Sequence, residues 1–437
     1  MNPEFRRQLW LQLSATQLLV LPALLLAGFA GVFVSAKEQP AYALALTGAA
    51  LFALLVLGVG MRAVGASVMD ELNDHTWDQQ RMSAMEPWAM TWGKLAGASA
   101  YGWYGGALCL LVAVPAAWQT SLRASVLHLT LAAVLAGVFL QALLLAVNLQ
   151  LARAGGRAAR RGSSPTLVLV LLWGLGPVVS VLNVDEVRWW GLHWATLDFV
   201  VASLALFTLC ALAAAWRSMA EMLAVRQYPW AWPALVLLTT TYLSGFVASH
   251  RTLAFGVTGL ISSVVLTYFT LLTEPQPRPL WQRVVTRLAS SQWQSALKQL
   301  PRWPATLVLM LPLSLLVMTS QDSQDALPGP AGSWLGVQPL CVLLLVVRDC
   351  ALALFFAFSA TGRRPVLAFW ITLMVLHALL PWLLGLADDH LLLGLVVPLY
   401  APAPLSVALA LGHAAVAVGL LYRRWQATAV PEGPSQR

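Results

Sequence analysis

The chain is poor in charge. Asp, Glu, Lys and Arg make up only 10% of its 437 residues, where a soluble domain carries about 25%. Apolar residues make up 59% and the mean hydropathy is +0.73. Such a composition excludes a water-facing surface over most of the chain and makes the bilayer the solvent for most side chains. Strict polar/apolar alternation is also missing, which excludes a transmembrane barrel. Cysteine is scarce: Cys109, Cys210, Cys341 and Cys350 all lie in apolar runs and form no CxxC pair. They read as small packing residues rather than a redox pair or thiolate metal site. The seven histidines are scattered without HxxxH or HExxH, so no metal site is expected. No GxxxxGK[ST] phosphate loop occurs, so no ATP or other cofactor is expected to bind this chain through one.

What the chain has is long apolar runs. A hydrocarbon core of about 30 Å is crossed by about 20 apolar helical residues. Runs bounded by polar or Gly/Pro breaks predict spans at 17–36, 42–62, 95–118, 124–151, 165–183, 196–216, 231–248, 252–273, 304–320, 335–359, 365–387 and 403–422. The predicted fold is an all-α polytopic membrane protein with about 12 transmembrane helices. Arg6-Arg7, an apolar run and Val34-Ser35-Ala36 imitate a secretory signal, but the run from Leu18 to Val34 exceeds a signal core of about 7–15 residues. It reads as a retained first span.

Lys and Arg accumulate in cytoplasmic loops. With a cytoplasmic N-terminus, 21 of the 26 fall in inner loops and 4 in outer ones (Lys37, Arg123, Arg188, Arg251), with Arg348 inside a span. Both termini are therefore expected in the cytoplasm, with the chain in the inner (plasma) membrane. The net charge of +8 reads as this bias, not as a nucleic-acid surface. The polar stretch 63–94 then faces the cytoplasm.

The spans fall into two similar halves, 1–222 and 223–437. Each opens with two spans joined by a short outer loop, continues with a polar linker (63–94 and 274–303) and adds four spans. Such spacing predicts a duplicated six-span unit with both copies in the same orientation. The first linker is net acidic and the second net basic.

Within the first linker, residues 66–86 have helix-forming composition. Trp77, Arg81, Met85 and Trp88 recur near helical spacing and are expected on one side of a helix lying at the membrane surface. Pro87 then breaks it before the third span. The order Glu71, Thr76-Trp77-Asp78, Pro87, Gly93-Lys94 resembles the signature of type-two ABC transporter permeases. In that family an acidic residue, a Thr-aromatic-acidic step, a Pro turn and a Gly-Lys separate spans two and three. The N-terminal AsnProGluPheArgArgGlnLeuTrp is similar to the family's interfacial helix before span one. His75 departs from the usual Gly, and Gln79-Gln80 from two apolar residues. The second linker has Trp281, Arg283, Arg287 and Trp293 but neither Thr-Trp-Asp nor Gly-Lys.

The resemblance implies a membrane-spanning subunit of an exporter with no enzymatic activity of its own. Its motor would be a separate cytoplasmic ABC ATPase subunit that binds ATP and works as a pair. Glu71, Thr76, Trp77, Asp78, Pro87, Gly93 and Lys94 would carry coupling to that motor, with Trp281, Arg283 and Arg287 as a second contact. The oppositely charged linkers would dock on different patches of it.

Arg348-Asp349 lies mid-span. A charge there costs about 2.5–3.5 kcal/mol to insert and marks a pathway or an interhelical contact. The two residues point about 100° apart on a helix, so each is expected to meet a different partner. Gln141 and Asn148 read as interhelical hydrogen bonders, and Gly102, Gly105 and Gly106 as points of close helix approach. Two other functions are open to such a chain. A membrane transferase would draw on the outer-loop residues Asp388, Asp389 and His390. An ion-coupled secondary transporter would draw on Arg348 and Asp349.

Overall fold

Leucine, alanine and valine around the whole circumference make helices that can be stable only if lipid replaces water. The computed structural model describes residues 2–74, 76–83, 85–154, 184–225, 227–247, 250–274, 276–320, 334–359, 365–386, 390–401 and 403–427. The expected span 165–183 and the expected outer-loop residues Asp388 and Asp389 lie outside them. The chain is an all-α polytopic membrane protein: among the described residues nine helices are long and apolar enough to cross a membrane. A single hairpin, Glu186–Trp189 with Leu192–Ala195, supplies the strands among these residues.

The nine match nine of the expected spans. They are α2 (Ala15–Ser35), α3 (Pro40–Asn73), α6 (Ala100–Trp118), α7 (Val126–Ala154), α8 (Thr196–Met222), α10 (Arg251–Thr273), α14 (Trp334–Ala357), α15 (Pro365–Leu384) and α17 (Ala403–Ala427). Two expected spans are shorter helices, α9 (Ala231–Ser244) and α13 (Trp303–Thr319). Short helices complete the set: α1 (Pro3–Gln12), α4 (Trp77–Met82), α5 (Pro87–Ala98), α11 (Arg278–Ala289), α12 (Trp293–Leu297) and α16 (His390–Val396).

Helix α2 shows what lipid permits. It buries only the i, i+4, i+8 stripe Leu21, Leu25 and Phe29, and leaves Leu19, Leu24, Leu26 and Phe33 uncovered by protein. Ser14 and Gln17 cap its start reciprocally, satisfying donors that the first turn leaves open.

The chain divides into two units. The first holds Met1–Arg188 and His193–Gln227, the second Trp189–Leu192 and Tyr228–Arg437. In the first, α2 packs on α3, α3 on α6, and α7 on α8. In the second, α9 packs on α10, α10 on α13, and α14 on α17.

Small residues and one amide organise the first unit. Helix α3 passes through a π-helical stretch at Leu54–Gly60. Such a turn disturbs the regular hydrogen-bond ladder, and Gln141 of α7 donates its Nε2 to the Val56 carbonyl at 2.9 Å. Trp103 Nε1 donates to Gln141 Oε1 at 2.9 Å. Gly102 faces the same stretch so closely that a Cβ would lie 2.7 Å from the Leu55 carbonyl oxygen. The expected roles of Gln141 and of the span-three glycines are met here.

Candidate functional site

Two clusters of charged side chains are buried, one in each unit. The first is built where the N-terminal helix meets the first linker. Asn2 caps α1 by accepting from the Glu4 and Phe5 amides, and its own amide donates to the Ala89 carbonyl on α5. Contacts then run in parallel along the two helices. A Cβ on Gly93 would lie 2.7 Å from Glu4 Cβ, and one on Gly97 2.6 Å from Gln8 Cβ. Glycine at these positions lets α1 lie directly against α5.

That approach brings four charges together. Lys94 is 0% exposed, and its ammonium meets Glu71 Oε2 and, at 3.2 Å, Glu4 Oε1. Arg7 holds Glu4 through Nε at 3.0 Å and Nη2 at 2.8 Å, and also reaches Glu71 Oε1. Gln8 Nε2 donates to Glu4 Oε1 at 3.0 Å. Lys94 also lies 5.6 Å over the Trp77 ring. Two carboxylates and two cations balance, which is what makes burial of a lysine tolerable. Burial by itself would raise the Glu4 carboxyl, but the hydrogen bond from Arg7 and the charge of Lys94 outweigh it and hold it at about 2, against an ordinary 4.5. Hydrogen bonding to Glu4 in turn raises Arg7.

Glu71, Trp77, Gly93 and Lys94 therefore converge. Trp77 packs in a core with Val64, Val68, Met90 and Leu95. Thr76 ends α3 by returning its amide (3.0 Å) and hydroxyl (3.2 Å) to the Glu71 carbonyl. Pro87 opens α5. Asp78 does not join the cluster; it is exposed, in the first turn of α4, as is Arg81 in the last. Sequence reading missed Glu4, Arg7 and Gln8 as members. Their signal was the i, i+3 pairing of Glu4 with Arg7 in a segment recognised only as a helix.

Three local expectations need correction. The second span does not stop near residue 62 but runs on to Asn73. Residues 66–86 are not one helix: the chain is cut after Asn73 and again at Ser83, where ψ is 142°. Glu86 is likewise extended, as the residue before a proline is biased to be. Trp77, Arg81, Met85 and Trp88 therefore do not share one helical side. The third span begins at Ala100, because Ser99 interrupts the helix after α5.

The second linker carries a related tie without the same letters. Glu274, just past α10, accepts from Arg302 Nε at 3.0 Å and from the Arg302 amide at 3.0 Å. Arg302 also lies 5.5 Å over Trp232. Trp281 packs on Trp303 with centroids 5.6 Å apart and donates to Gln276 Oε1 at 3.2 Å. Arg283 is exposed; half-buried Arg287 donates to the Ser295 carbonyl at 3.2 Å. An acid in the last turn of the second apolar helix of one unit (Glu71), or just past it in the other (Glu274), is thus bonded to a base before the third.

The second cluster joins α10, α14 and α15. Asp349 is 0% exposed and accepts from Arg348 Nε at 2.8 Å and from the Tyr268 hydroxyl at 2.5 Å. His377 Nε2 lies 2.9 Å from Asp349 Oδ2 and 2.9 Å from Arg348 Nη2. Arg348 and Asp349 thus do not meet separate partners. The long guanidinium stem folds back onto the neighbouring carboxylate, and both share His377. Tyr268 and His377 were missed in the sequence; each is a polar residue inside an apolar run, a signal too common to single them out.

No family model, curated protein or solved structure matches this chain. Among the described residues no group of three or more His, Cys, Asp and Glu could hold a metal ion. The four cysteines are free, three of them buried.

Proposed function

We infer that this chain is the membrane-spanning permease subunit of an ATP-driven exporter of the type-two ABC class. A separate cytoplasmic ATPase pair, which binds the ATP, would drive it from the cytoplasmic side of an inner membrane. The observation that carries the reading is the convergence of Glu71, Trp77, Gly93 and Lys94. Residues that the family signature spaces over two dozen positions make one buried body with α1. A push on α4 would reach α3, α5 and α1 together, because Lys94 and Arg7 bond carboxylates from two of them.

In this reading the roles divide. Glu71, Trp77, Gly93 and Lys94, with Thr76 and Pro87 at the helix ends, make the linker rigid. Asp78 and Arg81 are available to touch the motor. Trp281, Arg283 and Arg287 would form the second, basic contact. The repeated packing order of the two units, and the acid–base tie in each linker, support two six-span halves, 1–222 and 223–437, that supply both membrane halves of one transporter.

The test is affinity purification of the tagged full chain from its native cells. An ATPase that co-purifies with wild type and is depleted about tenfold or more by Asp78→Ala/Arg81→Ala, as loss of central contacts predicts, supports the reading. A chain that always purifies without an ATPase overturns it and favours the transferase or secondary-transporter alternatives.

A further inference from the structure

The contacts of His377 conflict with one another. Its Nε2 is within hydrogen-bond distance of Arg348 Nη2 and of Asp349 Oδ2, at 2.9 Å each. A guanidinium only donates and a carboxylate only accepts. A bare Nε2 can accept from Arg348 but has nothing to offer Asp349. A protonated Nε2 can donate to Asp349 but turns its N–H toward a second donor. One ring nitrogen cannot make both bonds at once, and its proton decides which is made.

The surroundings leave that choice open. Asp349 is held independently by Arg348 Nε and the Tyr268 hydroxyl, so it stays in place whichever bond His377 makes. The groups facing the cluster are Arg348, Asp349 and Cys350 on α14, Tyr268 on α10 and His413 on α17. His413 lies within electrostatic reach of both charges. Cover by protein is uneven: the His377 side chain is 44% uncovered, while that of Asp349 is 0%. His377 also stands in a π-helical turn, Val375–Leu379, a distortion that recurs at functional positions.

We propose that this tetrad is an intramembrane proton-binding site, loaded at His377. In the unloaded state His377 is neutral, carries its proton on Nδ1 and accepts from Arg348. In the loaded state a proton taken from water forms a new Nε2–H bond. The resulting imidazolium donates to Asp349, and its bond to Arg348 breaks. Release returns the same proton to water and restores the first state. The exchange lies between α14 and α15, so it changes how those two helices are held. This inference does not depend on the permease reading, and its test needs no motor.

The test is ring-nitrogen magnetic resonance of the full chain, labelled with 15N-histidine, in lipid nanodiscs. His377→Gln identifies the His377 signal by its loss. Gln offers a carbonyl to Arg348 and an amide to Asp349 on separate atoms, so it keeps both contacts without titrating. His377→Asn serves for assignment if that variant does not fold. The expected result is a His377 signal that passes from neutral to imidazolium as pH falls from about 8 to about 5, the range in which histidine commonly changes charge. Asp349→Asn removes the negative partner and is expected to weaken proton binding by about tenfold or more. A His377 signal that stays neutral, or stays imidazolium, across the whole range overturns the proposal. So does a transition that Asp349→Asn leaves unmoved.

Discussion

Lys94 concentrates the chemistry of the first cluster at one atom. Its ammonium is wholly buried and answers two carboxylates. Lys94→Met leaves Glu4 and Glu71 with Arg7 as their one cation in the cluster, and breaking a buried pair by removing one partner costs about 3–5 kcal/mol. The expected outcome is a lower unfolding midpoint in detergent, partly restored in Lys94→Met/Glu71→Gln, which removes one of the stranded charges. Glu4 gives a pH prediction. Its folded-state value is lowered from 4.5 to about 2, so it binds protons more weakly folded than unfolded. Its contribution is present above about pH 4.5 and is lost as pH falls toward 2. Between those values wild type should lose more stability than Glu4→Gln, read by thermal unfolding at stepped pH. Equal losses would show that the Glu4 carboxylate is not held by Arg7 and Lys94.

At the scale of elements, the π-helical stretch of α3 depends on a side chain from α7. Gln141→Leu leaves the Val56 carbonyl and the Trp103 indole without their partner, at a cost of about 1–3 kcal/mol for an unsatisfied buried group. The variant should unfold at lower temperature, and amide exchange should rise along Leu54–Gly60. Spans were legible in the sequence because an apolar run needs only composition to be seen. Of the twelve expected, nine are long apolar helices, and two are shorter helices. Breaks were harder to read. The cut after Asn73 rests on Thr76 turning its hydroxyl back to Glu71, and the pause at Ser99 separates two helices with no proline to announce it. The π-helical turns leave no mark in composition at all. Clusters were half legible. Gly93-Lys94 and Glu71 stood out by order, whereas Glu4 and Arg7 join them only because α1 folds back. His377 joins Asp349 from 28 residues away, a closure that no local pattern encodes.

At the scale of the whole molecule, the all-α membrane architecture accounts for the composition, and the permease reading accounts for the linkers. The two linkers offer unequal surfaces, Asp78 and Arg81 in the first and Arg283 and Arg287 in the second. Reversing charge in one should weaken motor binding without abolishing it, and reversing both should abolish it, as counted by the ATPase recovered per tagged chain. The central claim is that ATP acts through a different polypeptide. Its most direct test is photolabelling of the affinity-purified assembly with an azido-ATP analogue. The account predicts label on a co-purifying cytoplasmic polypeptide, competed by ATP, and none on this chain. Competed label on this chain itself, or an assembly with no labelled polypeptide, would contradict it.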